Sequence, residues 1–200
     1  MQTKNPLENL KSVDLSHLSK EEAKEFTLLL EELEKREKRE SSMASFYDFV
    51  KTIWPEFIAG AHHKKMAEAF DKIASGESKR LIINMPPRHT KSEFASYLFP
   101  AYLLGKRPKL KIIEATHTAD LAINFGRRVR DLIESDDYAE IFPATQLKAD
   151  SRSAGKWTTS QGGEYYAAGI GGALAGRGAD LFIIDDPHSE QDAFSDKALE

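Results

Sequence analysis

The sequence predicts an α/β fold, a parallel sheet with crossover helices, preceded by an α-helical N-terminal segment. Three observations predict it. From residue 80 onward, short apolar runs of strand length alternate with stretches of helical periodicity. Two of those runs lead straight into residues that bear charge, Lys91 and Asp185-Asp186. Finally, 200 residues with 40% apolar and 30% charged content can bury one substantial core.

In chain order, Ser19-Lys20-Glu21-Glu22 is a capping box, and Phe26, Leu29, Leu30 and Leu33 follow at helical spacing until Ser41 and Ser42 break the pattern. The run Lys35-Arg36-Glu37-Lys38-Arg39-Glu40 reads either as the solvated end of that helix or as a partner-binding arm. Residues 45–54 form a short amphipathic helix and 55–60 a connection. Residues 62–74 form a helix with Met66, Phe70 and Ile73 inward, closed by Gly76. Leu81-Ile82-Ile83-Asn84-Met85 is the first strand. Residues 91–104 are a helix, kinked by Pro100 and ended by Gly105, and 110–115 a second strand. Residues 118–134 follow as a helix with Leu121, Phe125, Val129 and Leu132 inward. Residues 156–159 and 164–168 make a hairpin around Gln161-Gly162-Gly163. Leu181-Phe182-Ile183-Ile184 is a final buried strand ending in carboxylates. The chain divides into a charged helical segment, 1–44, and an α/β domain, 45–200.

Composition narrows the chemistry. No run approaches the roughly 20 apolar residues that cross a bilayer, and the N-terminus lacks the apolar stretch of a secretion signal, which together imply an intracellular protein without a membrane partner. With no cysteine, disulfides, thiolate zinc sites and cysteine nucleophiles are excluded. A net charge of -4 is not the footprint of a protein that coats nucleic acid by bulk charge.

The segment Pro86-Pro87-Arg88-His89-Thr90-Lys91-Ser92 lies where a strand runs into a helix. A phosphate loop, G-x-x-x-x-G-K-[ST], turns backbone N–H groups toward phosphates, neutralises them with Lys and binds magnesium through the hydroxyl. Only its end matches: Met85 and Thr90 stand where the two glycines would be. The helix N-terminus supplies its own dipole and free N–H groups to an anion. The strand ending in Asp185-Asp186 provides the carboxylate that holds magnesium beside such a loop, with Asp186, or Glu190 in reserve, orienting the attacking water.

Taken as one ordered set, these segments resemble the large terminase subunit of tailed bacteriophages, the motor that pumps DNA into preformed capsids. The likeness runs from about Phe46 onward. It includes residues 81–88 with Lys91-Ser92-Glu93, then Leu121-Ala122, Phe125-Gly126-Arg127-Arg128-Val129-Arg130, residues 171–180 and Ile183-Ile184-Asp185-Asp186-Pro187. Thr90 departs from the family's glycine. The resemblance implies a P-loop NTPase domain of the additional-strand, RecA/helicase-like class. ATP and Mg2+ would be its cofactors, with Pro87, Arg88, His89, Thr90, Lys91 and Ser92 on the nucleotide and Ser92 and Asp185 on the metal.

It also implies Arg88 as a γ-phosphate sensor or cis-acting finger, and Arg177 as a finger reaching a neighbouring subunit's ATP. His63 would present a ring nitrogen to adenine and Trp54 would stack on it, although Trp54 and Phe57 also suit ordinary core packing. The His62-His63 pair lacks the spacing of a zinc site. Arg127, Arg128 and Arg130 with Lys106, Arg107, Lys109 and Lys111 read either as a DNA-phosphate grip or as a solvated face. The implied partners are double-stranded DNA, a portal protein, a small terminase subunit and further copies in a homo-oligomeric ring on the procapsid, in the host cell cytoplasm. The family's nuclease domain and the strand carrying its coupling motif are absent from these residues, so a truncated ATPase domain of weak activity is expected. A helicase-like translocase and a nucleotide-gated assembly module without turnover are the competing readings.

Overall fold

The computed structural model describes residues 6–188, apart from Ala173 and Ala175. Four helices come first: α1 (Pro6–Lys11), α2 (Lys20–Ala44), α3 (Phe46–Ile53) and α4 (Ala61–Ser75). The capping box forms as expected, with Ser19 accepting from the Glu22 amide and Glu22 from that of Ser19. Helix α2 does not stop at Ser41, because Ser42 is buried with its hydroxyl 2.9 Å from that of Thr52 on α3. The stripe on α2 is also shallower than expected: Leu29 and Leu33 are exposed. Ser45 then caps α3, whose buried Phe46, Phe49 and Val50 enter the core. Helix α4 buries Met66 and Phe70 and closes at Gly76, whose φ of 82° is the left-handed cap that glycine adopts without strain.

A π-helical segment (Glu93–Leu98) runs into α5 (Phe99–Lys106). Pro100 has no N–H to donate back up the helix, and the wider turn just before it accommodates that loss. Gly105 lies inside α5 rather than ending it. A β-carbon there would come within 2.3 Å of the Phe142 ring, so the glycine serves close packing. Next come β1 (Lys111–Thr116), α6 (Ala119–Ile133), α7 (Asp136–Ile141), β2 (Leu147–Arg152), β3 (Lys156–Thr159), β4 (Glu164–Gly169) and β5 (Leu181–Asp185). On α6 the inward residues are Ala122, Phe125, Val129 and Leu132, whereas Leu121 is exposed.

The strands form one five-stranded sheet in the order β2-β3-β4-β1-β5. It is mixed rather than parallel: β1 runs parallel to β4 and β5, while the β3–β4 hairpin and the β2–β3 pair are antiparallel. Register places Tyr165 opposite Ile112, Ala167 and Ile183 opposite Glu114, and Asp185 opposite Thr116. Because successive side chains alternate, Tyr165, Glu114 and Asp185 share one face of the sheet. The π-helical segment and α6 pack on that face.

Two expectations fail at one edge. Strand β5 is an edge strand, not a buried one, with Phe182 and Ile184 more than half exposed. Residues 81–86 form no ladder, and Ile82 is 85% exposed. An apolar sequence is not sufficient for a strand: its N–H and C=O groups need a partner, and no described segment supplies one here.

Candidate functional site

The carboxyl ends of β1, β4 and β5 lie on one edge of the sheet, and the loop at 86–92 reaches that edge through its lysine. Two non-glycine residues of this loop take positive φ, Arg88 at 63° and Thr90 at 60°. His89 between them does not, and such alternation of backbone hand is the condition for an anion-binding nest. The His89 Nδ1–H donates to the Pro87 carbonyl at 2.9 Å, and the Phe94 amide donates to the Thr90 carbonyl at 3.0 Å as the helix opens at Lys91. The first amides of that helix carry the positive end of its dipole into the loop.

Lys91 meets the acidic strand directly. Its Nζ donates to Asp186 Oδ1 in a very short contact and lies 3.5 Å from Asp185 Oδ1. Burial disfavours the ammonium, but the bonds to Asp186 and Asp185 outweigh it and hold the lysine pKa above its ordinary value. Asp185 is 6% exposed, and the Ser96 hydroxyl donates to its Oδ2 at 3.0 Å. Asp186 turns outward with φ 44°, and its carbonyl accepts the His117 amide at 3.2 Å. Residues 94 and 95 positions apart in sequence thus share one charge cluster.

Among the described residues no group of three or more His, Asp or Glu side chains comes together as a metal site, and the oxygen donors around Lys91 are few. Asp185 and Asp186 are carboxylates and Ser92 a hydroxyl at the start of the helix, its side chain not used as a cap. Oxygen donors in small number suit Mg2+, which keeps much of its water shell and takes the rest from phosphate. Asp185 is oriented from behind by Ser96, as a carboxylate ligand requires.

Sequence reasoning missed two residues beside this cluster, Glu114 and Ser96. Glu114 on β1 is fully buried with neither carboxylate oxygen hydrogen-bonded, and the buried Tyr165 hydroxyl is likewise without a partner. Burial drives the Glu114 pKa well above the carboxylate range, and the Asp185 charge adds to the shift. Glu114 is therefore a buried carboxyl whose protonated form burial favours, two positions before the edge of the site. A carboxyl inside the apolar run Ile112-Ile113-Glu114-Ala115 was the signal that could have found it. Ser96, a small polar residue on the helix that follows the loop, had no such signal.

Other expected residues fall elsewhere. Arg88 is exposed on the loop. The Arg177 guanidinium lies 3.8 Å over the Tyr166 ring with Nη1 3.5 Å from Glu164 Oε1. Tyr166 is on the face opposite Asp185, and Glu164 begins β4, roughly 16 Å along the strand from the edge that bears the site. Arg177 is not brought to its own chain's Lys91. His63 has both ring nitrogens engaged within the protein, so it offers none to a base edge. Trp54 is half-buried against Phe57 at 5.3 Å, and Phe57 packs on Phe94 and His63, which makes it part of the core margin beside the loop. Glu190 lies outside the described residues.

Four of the basic residues have partners within the chain. Arg128 makes a two-pronged pair with Glu93 at 3.0 and 2.5 Å and stacks on Tyr97. Arg107 donates to the Ala74 carbonyl, Lys106 to the Tyr102 hydroxyl, and Arg130 pairs with Asp131. Arg127 is exposed. The charged run of α2 lines a cavity with α3 and α7 that does not touch the Lys91 cluster. Comparison of the chain with protein-family models, with curated proteins and with solved structures gives no match. Among the described residues no helix is long and apolar enough to cross a membrane.

Proposed function

We propose that the chain is the ATPase region of a viral terminase large subunit, coupling Mg-ATP hydrolysis to translocation of double-stranded DNA into a procapsid. The observation that carries this reading is the convergence of Lys91, at the mouth of a helix N-terminus, with Asp185 and Asp186 at the end of β5. The ordered set of terminase-like segments supports the specific motor, a P-loop NTPase fold and its partners over other nucleotide enzymes. In this reading Lys91 exchanges its carboxylate partners for the β- and γ-phosphates, and the loop amides share their charge. Asp185 and Ser92 would hold the magnesium, whose charge would offset that of the phosphates. Asp186 leaves the lysine to orient the attacking water, and Arg88 stabilises charge developing on the transferred group.

The double ion pair of Lys91 also favours a second reading, a nucleotide-gated assembly module without turnover, because ATP must first displace both carboxylates. Both readings require Lys91-dependent binding of MgATP, and only the motor requires phosphate release stimulated by double-stranded DNA. Lys91→Ala is expected to weaken MgATP binding and to lower any phosphate release by about a hundredfold, measured by calorimetry and a phosphate assay. MgATP binding unaffected by this substitution would sink the proposal.

A further inference from the structure

The polar contacts of His63 form a directed chain into the phosphate loop. His63 is buried at the start of α4, and the Gly60 amide donates to its Nδ1 at 2.8 Å. An accepting Nδ1 carries no proton, so the ring proton is on Nε2, which donates to Thr90 Oγ1 at 2.8 Å. The Thr90 hydroxyl in turn donates to the His89 carbonyl at 2.6 Å. Every donor in this series has one acceptor and every acceptor one donor. The ring is held edge-on by Phe57, at 4.7 Å between centroids, and packed against Phe94 at 5.4 Å. Burial and the neighbouring His62 and His89 keep the His63 pKa below its ordinary value, in the direction that favours the neutral ring this chain of bonds uses.

Thr90 is where the support is needed. It is β-branched, yet its φ of 60° lies in the left-handed region that such residues resist and glycine enters freely. The only polar side-chain atom of Thr90 is the one that His63 grips, so the imidazole acts on the residue that departs from glycine. We propose that His63 is a positioning residue for the phosphate loop, holding Thr90 in its left-handed conformation, so that the His63–Thr90 pair takes the place of a glycine. This inference rests on the reading of residues 86–92 as a phosphate loop.

The test is a double-mutant cycle on the full chain with MgADP as the probe and calorimetry as the readout. His63→Ala should weaken MgADP about tenfold when residue 90 is threonine, as the loss of one buried hydrogen bond implies. In the Thr90→Gly background the same substitution should cost less than twofold, because glycine holds the turn unaided. Thr90→Val, which removes the hydroxyl and keeps the branch, should reproduce the His63→Ala loss and add nothing to it. An undiminished His63→Ala loss in the Thr90→Gly background, or additive losses from His63→Ala and Thr90→Val, overturns the proposal in favour of plain core packing. Where His63→Ala does not fold, the Thr90→Val and Thr90→Gly arms decide: equal affinity in the two overturns it. Absence of MgADP binding in the wild type defeats the phosphate-loop reading instead. The pair is then judged by the Thr90 Cα and Cβ chemical shifts, which must leave the left-handed range on His63→Ala, and unchanged shifts overturn it.

Discussion

The two sides of the sheet differ in how their strands are held. On the β3–β4 side, Trp157 and Tyr165 are fully buried and stacked at 4.9 Å with their planes 4° apart, and the Trp157 indole N–H donates to the Gly126 carbonyl at 3.0 Å. Helix α6 covers these residues, and backbone ladders run on both flanks of β4. On the β5 side one strand flank is open, residues 81–86 form no ladder, and Ile82, Phe182 and Ile184 face solvent. The charged cluster lies on this second side. Its groups are positioned by ion pairs and single hydrogen bonds, Lys91 to Asp186 and Ser96 to Asp185, rather than by packing on all sides. Polar ties of that kind can exchange one partner for another, as a ligand site requires, whereas a close-packed aromatic pair cannot.

Substitutions on the two sides should differ in cost. Trp157→Ala should cost the most, roughly 3–5 kcal/mol in denaturant unfolding, because it opens a cavity and removes the indole bond to the Gly126 carbonyl. A cost near zero would mean that the β3–β4 side is not the stable half. Ser96→Ala should come next at about 1–3 kcal/mol, since it strips a hydrogen bond from the nearly buried Asp185 carboxylate. The same substitution should also weaken MgATP binding, and loss of stability without that second effect would separate Ser96 from the site.

Glu114→Gln tests the buried acid through pH. The folded pKa of Glu114 is raised, so folding favours its protonated form; that stability is fully present below the unfolded value of about 4.5 and is lost as pH rises through the folded pKa. Thermal melting should therefore show the variant a few degrees more stable than wild type near neutral pH, with the gain vanishing toward pH 4. An equal gain at both pH values would contradict a protonated Glu114. Phe182→Ser on the open edge should change stability least, by under about 0.5 kcal/mol, since half of the ring is already in water.

Local chemistry explains what could be read in advance. The Ser19 capping box, the Gly76 cap, the hairpin at Gly162 and the helix of Phe125, Val129 and Leu132 each depend on residues within a few positions of one another. The pairing of Lys91 with Asp185 and Asp186 was also expected and forms, although the strand expected to lead into the loop does not, so the helix start at Lys91 and the acidic end of β5 meet without it. By itself, then, the sequence determined the α/β class, the caps at Ser19 and Gly76 and which charged residues meet. The tertiary structure alone decided that the sheet is mixed, that β5 is an edge and that residues 81–86 go unpaired, since strand pairing depends on partners far away in the chain. It also decided that His63 grips Thr90 and that Arg177 lies across the sheet, since each follows from contacts that no spacing in the sequence encodes.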